Sequence, residues 1–516
     1  MTDARLARLP LAGWQAACLR HAPVAFLSAL YLYVVGLVAI RQPLWFDEIL
    51  TYYVSNLGGP KTIVSALLAK AENHPPLDYL ARHLSMSLFG GSELAFRLPS
   101  IIAMLVAALC LYVIVLRRTS VLQALVAFSL PFTTFALRYA HEGRPYAFLF
   151  ASMCLAFLAW QLVTEKPTLP RLALLTICLS LGPYSHYYGV LNYVAIGVGE
   201  AWRWWEQRKI AWPVVASFAV SVAIDGLLAP FVLHSRDFAA HFWTTVGAGE
   251  AAFIYIKLLS DALPAIVMAL IGSAVVIFFM RSEPDPRVDT SSIPRYEIAA
   301  ALTICLVPVM TYVLAALVTH AFYDKYVITT VVGIALVAAY LSWHLQAWRR
   351  GCALVIALTF GLWMAGVLGY KARYVKPHPY SVPAVERSVI ETATQPVVIF
   401  DGTEFMRVQF YLPPNLRDKV YLLTDPKLGM LYKGNNTDAL VYQRLKPFVH
   451  LNVANLCAFT RQYRQFLVMM IKPYAAQRPT WVVPYLVQHK ADVRLIGGDL
   501  NDFALLSVTV KGASGC

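Results

Sequence analysis

The chain has 516 residues, of which 59% are hydrophobic and only 14% charged. That balance excludes a string of separately folded soluble domains and points to a polytopic membrane protein. A formal net charge of +14 would suit nucleic acid in a soluble chain. Here many basic residues sit in short connectors between apolar runs, where they set topology, so the partner class is anionic lipid or a phosphorylated substrate and not nucleic acid.

Arg5, Arg8 and Arg20 precede the first apolar run, residues 23 to 40. No small-residue cleavage site follows it, so it reads as a retained signal anchor with the N-terminus in the cytoplasm. Further spans are predicted at 99 to 116, 121 to 137, 146 to 163, 172 to 185, 188 to 202, 211 to 232, 263 to 280, 297 to 318, 326 to 343 and 352 to 370, eleven in all. Every connector this places in the cytoplasm carries Lys or Arg: Arg117 and Arg118; Lys166 and Arg171; Arg203, Arg208 and Lys209; Arg281, Arg287 and Arg295; Arg349 and Arg350. The weakest break is the one at Tyr184-Ser185-His186-Tyr187-Tyr188, where two short spans could be one long helix. Most of the eight cysteines, such as Cys110, Cys154, Cys178 and Cys305, lie inside apolar runs and read as small core residues. Only Cys457 and Cys516 share the polar tail, the one place where a disulfide is admissible.

The organisation expected is a transmembrane domain over 1–370, with a long structured first external loop at 41–98, and an extracytoplasmic domain over 371–516. In the loop, Lys61 to Glu72 and Pro76 to Phe89 look helical, and Leu77, Leu80, Leu84 and Leu88 keep a spacing of three to four residues. Such helices would lie in the interface plane with one face in lipid. In the tail, Val397–Phe400, Val420–Leu423, Trp481–Leu486 and Phe503–Val508 read as strands of a small α/β unit. The tail holds 18 basic and 10 acidic residues. That surplus suits either a grip on an anionic acceptor or a surface facing lipid headgroups.

Candidate chemistry begins at Trp45-Phe46-Asp47-Glu48, directly after the first span. Aromatic rings settle at headgroup level, and a carboxylate beside them can act as a general base. Neighbours on a helix diverge by about 100°, so Asp47 and Glu48 can serve different purposes, one at a reaction centre and one bracing the loop or a metal. His74 stands just before the helix opening at Pro75, where an anion is favoured, although a cap or an interface residue fits as well. Glu142 and Arg144 lie in Arg138-Tyr139-Ala140-His141-Glu142-Gly143-Arg144-Pro145-Tyr146, a turn with more ionisable groups than chain reversal needs. Lys325, in Asp324-Lys325-Tyr326, can snorkel toward phosphate or anchor a helix end. His186 sits in the narrow external turn. Asp225, inside the seventh span, is read as bonding to a neighbouring helix.

Four motifs taken in order resemble the bacterial family 39 glycosyltransferases: Trp45-Phe46-Asp47-Glu48; His74-Pro75-Pro76-Leu77; Phe89-Gly90-Gly91-Ser92-Glu93 with Arg97-Leu98-Pro99-Ser100; and Glu142-Gly143-Arg144-Pro145-Tyr146. Members of this GT-C fold family are related to protein O-mannosyltransferases, to the aminoarabinose transferase acting on lipid A, and to lipopolysaccharide-core galacturonosyltransferases. The resemblance covers about the first 200 residues, with a weaker echo at Asp324-Lys325-Tyr326. It implies transfer of a sugar, with inversion, from a polyprenyl-phosphate donor to a hydroxyl or phosphate of a lipid, glycan or protein acceptor. The reaction would occur on the extracytoplasmic face of a bacterial inner membrane. By the family's pattern Asp47 is the base and Glu48 supports the loop. His74, Arg144 and Lys325 are candidates for the donor phosphate, and Glu142 and His186 for the acceptor or a second acidic contact. No cofactor is required, but a divalent metal is admissible, since Glu142, His74 and Asp47 could complete its shell. Asn73-His74-Pro75 departs from the acidic residue and Lys-Pro of the aminoarabinose transferases, which weakens an inherited metal site.

Two rival readings compete with sugar transfer. A lipid-linked-sugar flippase or transporter would carry charge near the midplane and show two similar halves, whereas the ionisable clusters gather at the outer rim and no repeat is visible. A surface-polysaccharide polymerase or ligase would rely on external Arg groups without an early Asp-Glu pair. All of these expectations require the acidic doublet and its basic companions to share one cavity at the outer leaflet.

Overall fold

The computed structural model describes residues 13–233, 248–279, 285, 288–375, 382–434, 436–471, 481–499 and 503–510, with side chains from Leu19 onward. Arg5, Arg8, Arg281, Arg287 and Cys516 lie outside the described residues. The chain forms two compact units: Met1–Ile40, Arg97–Ala229 and Val246–Val375 make the first, and Arg41–Phe96, Pro230–Thr245 and Lys376–Cys516 the second.

The first unit is a helix bundle. Among the described residues seven helices are long and apolar enough to cross a membrane, and up to nine if each of two bent pairs is one span. Helix Val121–Ser129 tightens over Leu130–Thr133, and the axis swings by 75° at Thr134, between Val121–Thr133 and Phe135–His141. Arg295–Cys305 and Val307–Thr319 meet at 51°, with Pro308 in the first turn of the second piece. Proline supplies no N–H to the ladder and stops the helix before it.

The doubtful break after Tyr184 is real. Leu169–Ser185 and Leu191–Gln207 are separate helices of 17 residues each, slightly short of the length a straight span needs. Between them His186 N–H donates to Gly182 O at 2.9 Å and Gly189 N–H to His186 O at 2.7 Å. The turn is so tight that a Cβ on Gly189 would lie 2.1 Å from the Gly182 carbonyl carbon. Only glycine admits that approach.

Several acidic side chains inside the bundle are paired. Glu297 accepts from Arg118 Nη2 at 2.6 Å and Gln161 Nε2 at 3.1 Å. Glu200 accepts from Trp160 Nε1 at 2.8 Å and Arg203 Nε at 2.9 Å. Asp225 accepts from Tyr193 Oη of helix Leu191–Gln207 at 2.5 Å, so it is tied to its neighbour as the sequence suggested. Buried charges of this kind persist only when paired.

In the second unit, a six-stranded sheet runs in the order β3-β2-β1-β4-β6-β5. Its strands are β1 Val397–Ile399, β2 Val420–Leu423, β3 Val453–Ala454, β4 Gln465–Ile471, β5 Asp492–Gly498 and β6 Phe503–Thr509. The first four are parallel, as β-α-β crossovers require, and β6 returns antiparallel to both β4 and β5. The predicted strand Trp481–Leu486 is instead the start of helix Val482–Gln488, with Val482 and Leu486 buried four residues apart. An apolar run of six fits either period.

Residues of the first loop share a hydrophobic core with this sheet: Ile49, Leu50, Val54, Tyr79 and Phe96 cluster with Val397, Ile399, Phe405 and Met406. Helix Pro60–Leu68 is shorter than expected and stops before Lys70, which adopts a left-handed φ of 66°. Helix Pro76–Phe89 exposes Leu84, Leu88 and Phe89, packs Leu80 against the core, and buries Asp78, Tyr79, Arg82, Ser85 and Met86. An outward apolar stripe over an inward, internally bonded polar face suits a helix lying against lipid.

Candidate active site

Helix Phe46–Ser55 starts at Trp45, whose N–H donates to Glu48 Oε2 at 3.3 Å. Glu48 is buried and closes its own helix, satisfying one of the donors that every helix start leaves over. Asp47, one position earlier, is half-exposed. The adjacent carboxylates thus have separate environments. On the same helix Tyr52 Oη donates to Gly91 O at 2.9 Å. Burial pushes the Tyr53 hydroxyl up to about 12, with Arg417 pulling it back, so it stays a neutral donor at physiological pH.

The motif around Gly90 now has a mechanical reading. Gly90 ends helix Pro76–Phe89 at φ 84°, and Ser92 Oγ accepts Ala95 N–H at 3.2 Å to start the next helix. Arg97 Nη1 donates to Ala39 O at 2.9 Å, and Ser100 Oγ donates to Glu142 O at 2.8 Å, fixing the backbone of the polar turn.

His74 is held by a residue the sequence reading passed over. One oxygen of Glu72, Oε2, accepts from Asn73 N–H at 2.6 Å and Tyr79 Oη at 2.7 Å, and lies 3.1 Å from His74 Nδ1. An ionised carboxylate can only accept, so Nδ1 carries a proton; Nε2 is then an acceptor in the neutral ring and a donor in the protonated one. The signal available in sequence was Glu72 two residues before His74, the first acid after helix Pro60–Leu68.

In the first unit, Glu142 and Arg144 are both buried, and Arg138 Nε approaches Glu142 Oε2 at 3.7 Å. Tyr146, two residues past Arg144, connects this turn to an aromatic group. Its ring lies 5.7 Å from His186 and 6.4 Å from Tyr326, and His186 lies 5.0 Å from Tyr326 and stacks on Tyr188. His186 Nδ1 accepts Tyr188 N–H at 3.3 Å, which leaves the ring proton on Nε2 in the neutral form. Lys325 Nζ sits over both Tyr146 and Tyr323, 5.3 Å from each ring centre. Such contacts hold an ammonium without neutralising it. Asp324 is committed to an ion pair with Lys257, whose Nζ lies over the other neighbour of the group, Phe135.

The structure therefore gathers His186 and Lys325 with Tyr146 of the Glu142–Tyr146 turn, and separately sets Asp47, Glu48 and His74 in the second unit. Tyr146, Tyr188, Tyr323 and Lys257 belong to the first group and were not singled out from sequence. Among the described residues no three or more His, Cys, Asp or Glu side chains are grouped so as to hold a metal ion.

The chain is a multi-pass membrane protein with the GT-C glycosyltransferase fold. Two crystal structures of ArnT from Cupriavidus metallidurans share that fold over nearly the whole length. The apo form has a TM-score of 0.59 at 11% identity, covering 94% of this chain and 97% of that one. The form bound to undecaprenyl phosphate has 0.56 at 11% identity, covering 96% and 99%. The sequence model described as Dolichyl-phosphate-mannose-protein mannosyltransferase matches residues 73–227, relating that segment to the mannosyltransferases. No curated protein matches the chain by sequence. The expected class, GT-C with a C-terminal α/β part, is the observed one.

Proposed function

We propose that this protein is an inverting glycosyltransferase that moves a sugar from a polyprenyl-phosphate donor to an acceptor hydroxyl or phosphate, on the extracytoplasmic face of a bacterial inner membrane. The observation that carries the reading is the division of labour in the Asp-Glu pair. Glu48 is buried and caps its own helix, while Asp47, partly buried on the same first turn, follows Trp45 and Phe46. Asp47 takes the proton from the acceptor hydroxyl as its oxygen attacks the anomeric carbon. The bond from that carbon to the phosphate oxygen breaks on the opposite face, and the polyprenyl phosphate leaves with one more negative charge. Lys325 and Arg144 meet that charge, joined by His74 when its ring is protonated. Glu142 and His186 contact the acceptor. The aromatic setting of Lys325 supports its part, because the Tyr146 and Tyr323 rings hold its ammonium in place. That a protein of the same fold is known bound to undecaprenyl phosphate supports the donor class.

The test is mass spectrometry of envelope glycolipids and glycoproteins from cells with and without the gene. A species carrying one extra sugar mass in the presence of the gene is expected. Identical glycan profiles would remove the proposal.

A further inference from the structure

The helix bearing Asp47 is held from the C-terminal part of its own unit. Helix Gly402–Tyr411 leaves β1 through Asp401, whose Oδ1 accepts Thr403 N–H at 2.9 Å and Glu404 N–H at 3.2 Å. Its far end is pinned by Arg417, which donates Nε to Leu412 O at 2.7 Å and Nη2 to Phe410 O at 3.0 Å. What this end touches is the start of helix Phe46–Ser55. Tyr411 Oη accepts Leu44 N–H at 2.7 Å and donates to Glu93 Oε1 at 2.5 Å. Phe410 packs edge-on against Tyr52 at 5.1 Å and Tyr53 at 5.6 Å, two turns along the same helix.

Two successive backbone donors entering the helix are thus fixed from different sources, Leu44 by Tyr411 and Trp45 by Glu48. Together they set the direction in which the first turn emerges. A general base has to be held within about 0.5 Å of its working position, and a 1 Å displacement can cost about 100-fold in rate. Asp47 lies three residues beyond Leu44, on the first turn whose direction these contacts set.

We propose that Tyr411 and Phe410 are positioning residues for Asp47, so that the C-terminal α/β part acts in sugar transfer by aiming the helix that carries the base. This rests on the assignment of Asp47 under the proposed function. Deleting the Tyr411 hydroxyl releases Leu44 N–H while the ring and its burial remain. The loss should therefore fall on turnover and not on folding.

The experiment uses full-length Tyr411→Phe, Phe410→Leu and Asp47→Asn in lipid nanodiscs, with a radiolabelled undecaprenyl-phosphate sugar of the mass found in the envelope analysis. Tyr411→Phe is expected to lower kcat about 10-fold with donor KM within twofold of the parent. Thermal midpoints should be unchanged, and hydrogen exchange should quicken in peptides covering residues 42–50. Phe410→Leu should act in the same direction. An inactive Asp47→Asn beside a Tyr411→Phe of parental kcat would overturn this inference alone, as would a rate loss matched by an equal loss of folded protein. A fully active Asp47→Asn would overturn the base assignment and this inference with it.

Discussion

Replacing Asp78 by Ala tests how the first loop is fastened. Asp78 and Arg82 are fully buried one turn apart, with Nη2 to Oδ1 at 2.6 Å and Nε to Oδ2 at 3.0 Å. Arg82 also donates Nη1 to Phe96 O at 2.8 Å and lies 5.0 Å over the Phe96 ring. On the inward face of helix Pro76–Phe89 this fork stands beside the buried Tyr79 and Met86. Removing one partner of a buried pair costs about 3–5 kcal/mol, since the other charge stays desolvated without its counter-ion. At about 1.4 kcal/mol per tenfold, that is roughly two to three and a half orders of magnitude in the opening constant. Hydrogen exchange of the full-length protein in nanodiscs, read in peptides from 76–89, should accelerate by that factor. The double substitution Asp78→Leu with Arg82→Met should exchange nearly as slowly as the parent, because removing both charges removes the unpaired one. A single variant within about threefold of the parent, or a double variant as fast as the single, would refute the reasoning.

Other consequences can be measured with the same preparation. Lys325→Ala and Arg144→Ala should each weaken binding of undecaprenyl phosphate about 10- to 100-fold, the value of a charge-assisted contact, in a fluorescence titration; unchanged affinity in both would contradict the phosphate role. Gly189→Ala drives a methyl group against the Gly182 backbone, so the turn bearing His186 should not form, and the variant should lose thermal stability and accumulate poorly in membranes. Burial pushes Glu386 up to about 7, with the Arg407 guanidinium opposing and Glu404 adding to the rise. The folded chain then holds this proton where the unfolded chain has lost it. Stability from this group is complete below about pH 4.5 and is lost as pH rises toward 7. Glu386→Gln should flatten that part of the thermal-stability profile, and an unchanged slope would contradict the shift.

Most of the architecture was legible because hydropathy and basic connectors are strong signals in a membrane chain. Eleven spans were expected, while among the described residues seven helices, or up to nine with the bent pairs, are long and apolar enough to cross; the break at His186 is present. What the sequence did not reveal was continuity across distance. The pairing of Tyr411 with Leu44 joins residues 367 positions apart. Nothing in the local pattern of either marks the contact. The bend before Pro308 was visible as a proline, but whether a proline kinks a span or ends it depends on neighbouring helices. Trp481–Leu486 failed as a strand because a short apolar run has no decisive period. At the candidate site, charged residues were easy to single out and their holders were not. Glu72 beneath His74, and Tyr146 and Tyr323 around Lys325, are ordinary residue types whose importance lies in where the fold brings them.

The central claim is that Asp47 is the base for sugar transfer, and it is tested most directly by transfer rates of purified Asp47→Asn in nanodiscs against the parent. The amide keeps the shape of the side chain and removes its basicity. The account predicts a loss of at least about 100-fold in kcat with undecaprenyl phosphate still bound and the thermal midpoint unchanged. Transfer at the parental rate would contradict it.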